Sequence, residues 1–193
     1  MHDHADIPSE HPTWKELIPS RTLNQVGQSG ETLEQYIKRI KRKFKNIPNK
    51  VLEQWLYLHT SDPYVIQNYA WIDYTAVRFT EVLWSYEQIA QIQVFSEFRY
   101  YVEMRTKTNS LEQFMCVAED KAYWEMYGTW RIPIIVLNTQ NLSNPPRFSE
   151  LNKPFQLVEG HSRLGYYKAF YRYFQQGLVQ MPNLHKIFLM EVR

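Results

Sequence analysis

Three short aliphatic runs, with one amphipathic helix between the second and third, constrain what the last third of this chain can become. Ile132, Ile134, Ile135, Val136 and Leu137 form the first run, Phe155 to Val158 the second, and Ile187 to Val192 the third. Short apolar runs rich in Val and Ile read as buried strands. Between the second and third, Gly160 opens a helix reaching about Gln176, Gly177 ends it, and Pro182 lies beyond. Strand, tight turn, helix and strand predict a small mixed sheet with a helix packed on it. The expected class is α+β, because the residues before Trp130 read as largely helical.

In that earlier region, Leu33, Tyr36, Ile37, Ile40 and Phe44 recur at helical spacing over residues 31–46, and Pro48 stops the helix. Val51 to Leu58 reads as a second helix. Asp62 followed by Pro63 reads as an N-cap with proline at the first helical position. Helical pattern is expected to continue from Tyr64 to Trp84, and Ser85 to cap a long helix holding Ile89, Ile92, Phe95, Tyr100 and Val102. Ser110 to Tyr127 reads as one more helix, ended by Gly128. The expected division is a mobile tail over 1–29, a helical region over 30–129 and an α/β domain over 130–193. Within the tail, His2, His4 and His11 are expected to belong to a disordered terminus, in preference to adventitious metal binding, and Gly27 to Gly30 reads as a chain break.

Composition narrows the function classes. With 193 residues, 44% hydrophobic and 16% aromatic, the chain has ample apolar surface for a packed core. A net charge of +2 is too small to argue for nucleic acid alone. The single cysteine, Cys116, excludes an internal disulfide and a cysteine-based zinc site, and fits a reducing cytosol. The opening MHDHADIPSEHP holds no apolar leader, and no apolar run reaches the roughly 18 residues of a membrane span. A cytoplasmic protein with no membrane partner is expected. No P-loop, nucleophile-elbow or zinc-protease pattern occurs.

The segment PFQLVEGHSRLGYYKAFYRYF carries the candidate site. Gly160 permits a tight turn, and the helix after it offers backbone N–H groups and the positive end of its dipole to an anion. At about 100° per residue, Leu164, Tyr167, Phe170, Tyr171 and Phe174 share an apolar face opposite Lys168, Arg172, Gln175 and Gln176. Arg163 falls in the middle of the apolar face and in the first turn, where the dipole opposes a cation. It therefore wants an anion: a bound phosphate, or an internal carboxylate such as Glu159 or Glu191. His161 and Ser162 can donate hydrogen bonds to the same anion.

The run VEGHSRL, after PFQL and before the amphipathic helix, resembles the G-x-x-R turn of the ParB/sulfiredoxin-like superfamily. Its ParB-like nuclease-type domains carry an acidic residue and then G-H-x-R-L at this point. RIPIIVL resembles their earlier strand and HKIFLMEV a later one, so the resemblance covers roughly the last 64 residues. It implies a turn that cradles the phosphates of ATP or CTP, with magnesium. Gly160 would then give close backbone approach, His161 and Ser162 phosphate contacts, and Arg163 charge pairing. Glu159 would be a magnesium-linked or catalytic acid. Sulfiredoxins place their catalytic cysteine where His161 stands, so that activity is not expected. Partition proteins carry a helix-turn-helix region after this domain, whereas the helices here precede it, so a partition role is not expected either.

Six cations crowd eight residues from Lys38 to Lys45. Lys38, Lys41, Arg42 and Lys45 are the candidate contacts to nucleic acid or to an acidic protein; a solvated helix face is the plainer account. Two functions remain in view. One is a nucleotide- or phosphate-binding ParB-like protein, with or without nucleotide hydrolysis or phosphate transfer. The other is a non-catalytic protein-binding module, such as a toxin-neutralising immunity protein or adaptor.

Overall fold

The computed structural model describes residues 10–24, 27–142 and 145–193. They fall into two compact units. The first comprises residues up to Phe79 with Asn141–Leu151 and Glu191–Arg193; the second comprises Thr80–Gln140 and Asn152–Met190. This division differs from the one expected at residue 130, because the sheet recruits strands from well before that point. Among the described residues, no helix is long and apolar enough to cross a membrane.

The first unit begins with helix α1 (Pro12–Leu17), which buries Trp14 and Leu17. Strands β1 (Arg21–Asn24) and β2 (Gly27–Gly30) then pair antiparallel. The mobile tail expected over 1–29 is thus replaced, over its described part, by a helix anchored through two apolar side chains and by a hairpin. His2 and His4 lie outside the described residues, and His11 is the N-cap of α1. Helix α2 (Leu33–Ile40) is capped by Thr32, whose hydroxyl accepts from the Gln35 amide while the Gln35 side chain accepts from the Thr32 amide. It ends six residues before Asn46, since Lys41 turns its ammonium onto the carbonyls of Lys45 and Ile47 and closes the next turns.

Helical residues Asn49–Val51 (α3) run through a widened turn at Leu52–Leu56 into Tyr57–His59 (α4). Asp62 accepts from the amides of Tyr64 and Val65 at the head of α5 (Pro63–Tyr69), as the Asp-Pro signal predicts. The unit's core packs Trp14 against Tyr74 (5.5 Å between ring centroids) and Trp55 against Tyr69 (5.4 Å), with Tyr36 donating its hydroxyl to the Leu17 carbonyl.

The expected helix to Trp84 stops at Tyr69. Asp73 accepts from both the amide and the hydroxyl of Thr75, a turn that breaks the helix. Beyond that turn the chain extends into strand β3 (Val77–Trp84). The long helix expected after Ser85 is also divided. Ser85 and Gln88 form the anticipated cap, but α6 spans only Tyr86–Ile89. Strand β4 (Ile92–Gln93) then pairs parallel with β6 (Phe155–Glu159), and α7 (Ser96–Thr106) begins after Phe95. Pairing with β6 outweighs the local helical pattern of those two residues. Likewise, Ser110 to Tyr127 resolves into a short 3₁₀ turn at Leu111–Gln113 and helix α8 (Ala118–Tyr127). The chain between them is held by Phe114, stacked on Tyr166 at 4.2 Å, and by the Met115 amide, which donates to the Tyr166 hydroxyl.

Strand β5 (Ile134–Asn138) pairs antiparallel with β6 and parallel with β7 (His185–Val192). The five-stranded order is β3-β7-β5-β6-β4, a mixed sheet, and the fold is α+β. Helix α9 (His161–Gln175) joins β6 to β7 and buries Leu164, Tyr166, Tyr167, Ala169, Phe170 and Tyr173. The buried arc is wider than the predicted stripe and excludes Phe174, which is exposed, because α7 also packs on the helix. Gly165 permits that approach. A Cβ there would lie 2.7 Å from both the Arg105 Cβ and the Val102 carbonyl oxygen.

Candidate functional site

Strand β6 carries Glu159 to the sheet's end, and Gly160 turns the chain into α9 with φ +106°. A side chain cannot be accommodated there: a Cβ would fall 2.5 Å from Ile134 Cγ2 on β5 and 3.2 Å from Arg163 Nε. Glycine thus serves two needs, positive φ and close approach. Having no side chain, it cannot cap the 15-residue helix it begins. First-turn N–H groups lack intrahelical acceptors, and the dipole's positive end lies with them.

The structure brings the predicted residues together at this turn. Arg163 donates through Nη2 to Glu159 Oε1 at 3.4 Å and through Nη1 to the Ile132 carbonyl at 3.2 Å. Of the two expected internal partners, Glu159 is the one it meets. The pair is looser than a tight charge-assisted hydrogen bond of about 2.7–2.9 Å. Both side chains are largely covered, with relative exposures of 19% and 23%. Burial lowers the Arg163 pKa, against the opposing pull of Glu159 and Asp120. Asp120 itself pairs with Arg131 at 2.6 Å. The His161 ring packs on Phe98 with centroids 4.5 Å apart, and Ser162 is half-buried. Phe98, Ile132 and Ile134 were not singled out in the sequence as site residues. Ile132 and Ile134 left a trace there only as part of the apolar run ahead of the glycine turn.

The basic stretch proves partly internal. Arg39 makes a two-pronged pair with Glu31, both bonds 2.8 Å, and donates to the carbonyls of Glu16 and Ile18. Lys43 pairs with Glu16 at 2.6 Å. Lys41 caps carbonyls and its burial lowers its pKa, so this predicted contact residue is a structural cation. Lys38, Arg42 and Lys45 are exposed.

A second feature of the same unit as α9 emerges only in three dimensions. Tyr86 of α6 and Tyr171 of α9 stack at 3.5 Å, 7° from parallel, and help line cavities of about 470 and 330 Å³. Tyr167, beneath them, is fully buried with no hydrogen-bond partner for its hydroxyl. His185, 2% exposed, meets the Tyr167 ring edge-on at 4.7 Å and shares a 2.9 Å hydrogen bond with the Thr129 hydroxyl. Its burial pushes the imidazole pKa down to about 4. Among the described residues, no group of three or more His, Cys, Asp or Glu side chains is placed to hold a metal. Comparison with family models, curated proteins and solved structures finds no match to this chain.

Proposed function

We propose that this chain binds a phosphate-bearing ligand, of the nucleoside triphosphate class, at the turn between β6 and α9. The observation that carries the reading is Gly160 at φ +106°, heading a 15-residue helix with no side-chain cap and with a largely buried arginine in its first turn. Such a turn offers backbone donors and positive potential to an anion, and a guanidinium whose carboxylate contact is loose is ready to exchange it for phosphate. The resemblance of residues 130–193 to ParB/sulfiredoxin-like domains points the same way. Magnesium arriving with the phosphates needs few protein ligands, and Glu159 is the carboxylate at hand once Arg163 turns to the ligand.

The test is thermal unfolding of wild type and Arg163→Ala with ATP, CTP or GTP, with and without magnesium. A binder gains stability with ligand concentration. Arg163→Ala should weaken binding by about 1.5–3 kcal/mol, the scale of a hydrogen bond to a charged group. The contacts of Arg163 to Glu159 and Ile132 favour a second reading, in which the arginine is a structural clamp and the chain a protein-binding module such as an immunity protein or adaptor. That reading predicts no nucleotide response in wild type and a marked loss of ligand-free stability in Arg163→Ala, because a largely buried carboxylate loses its partner.

A further inference from the structure

The C-terminal half of α9 carries a second site that is independent of the turn at Gly160. We propose that the 470 Å³ cavity there binds a small planar aromatic anion. Its ring would lie against the Tyr86–Tyr171 pair, and its charge would face Lys168 and Arg172.

Three observations carry this. The volume lies within the range of small-molecule sites, about 300–1,000 Å³, and the walls combine apolar surface with a few polar groups. Tyr86 and Tyr171 are already stacked, so they present a rigid aromatic wall that loses little freedom on binding. The lining includes two cations and no carboxylate, and Arg172 is fixed in place by donating to the carbonyls of Thr106 and Thr108. Lys168, half-buried, is held partly out of water, with Glu103 the acid whose charge reaches it. The neighbouring 330 Å³ cavity shares the three tyrosines but has Glu87 and neither lysine nor arginine in its lining, so the anion is assigned to the larger one.

None of the first-turn residues of α9 lines this cavity, so the proposal stands or falls apart from phosphate binding at Gly160. The test is isothermal titration of the full chain with 2-naphthoate, alongside 2-naphthalenemethanol, which has the ring without the charge, and cyclohexanecarboxylate, which has the charge without the aromatic ring. 2-Naphthoate should bind most tightly of the three. Lys168→Gln should weaken it about tenfold, as expected for loss of a charge-assisted hydrogen bond. Absence of 2-naphthoate binding, equal binding of 2-naphthalenemethanol, or unchanged affinity in Lys168→Gln would each overturn the proposal.

Discussion

Acid should destabilise this protein through His185 before its carboxylates titrate. In the fold the imidazole is 2% exposed, packed between Tyr167 and Trp130, and bonded to the Thr129 hydroxyl. Burial depresses its pKa from 6.5 to about 4, so the native state refuses a proton that the unfolded chain accepts. The stability held by the neutral ring is therefore complete above the unfolded pKa and lost as pH falls from 6.5 towards 4. The limiting slope is about 1.4 kcal/mol per pH unit, which integrates to about 3 kcal/mol over the window and about 2 kcal/mol by pH 5. For a chain of this size that is a fall in Tm of about 4–8 °C. Glu31 and Asp73 have carboxyl pKa values held below their ordinary 4.5 and 3.8 by Arg39 and Thr75 respectively, so their contributions are lost only from the foot of this window downward. The assay is urea unfolding at half-unit pH steps from 7.5 to 4.5, on wild type and His185→Asn. The variant should start less stable at neutral pH, yet lose about 2 kcal/mol less than wild type by pH 5. Parallel stability curves for the two proteins across this range would refute the argument, because the pH dependence would then come from other groups.

The geometry sets two further outcomes. Gly160→Ala should destabilise the fold by about 2–4 kcal/mol, combining positive-φ strain with overpacking on Ile134, as measured by urea unfolding. A loss below about 0.5 kcal/mol, the range of ordinary surface substitutions, would mean the turn relaxes freely. If the basic stretch contacts nucleic acid, replacing Lys38, Arg42 and Lys45 by Gln should lower both the affinity and its salt dependence in a binding titration, with the fold intact. Lys41 is left alone in that variant because its ammonium closes the turns after α2. No binding to DNA or RNA at low salt eliminates the role.

Several elements were legible in the residues themselves. β5, β6, α9 and β7 lie close to their predicted bounds, and the Asp62-Pro63 cap, the stop at Gly128 and the turn at Gly160 are where the local chemistry puts them. These features depend on neighbours a few residues away: a side-chain cap, a positive φ, a run of β-branched residues. Strands β3 and β4 were hidden because their residues also fit a helical pattern. Only strands far along the chain, β7 beside β3 and β6 beside β4, decide between the two. The rotation that placed Arg163 toward the apolar face was available from helical periodicity, and Glu159 and Glu191 were both open to it as partners, but the choice between them was not. Glu159 and the Ile132 carbonyl reach it only once the sheet has formed. Lys41 shows the same division: its charge is plain in the sequence, while its burial against two carbonyls arises from the turn after α2. The Tyr86–Tyr171 wall lies furthest from sequence reading, because it joins residues 85 positions apart that share neither motif nor period. Local chemistry set where the chain turns and caps, and long-range packing decided which charges and rings meet.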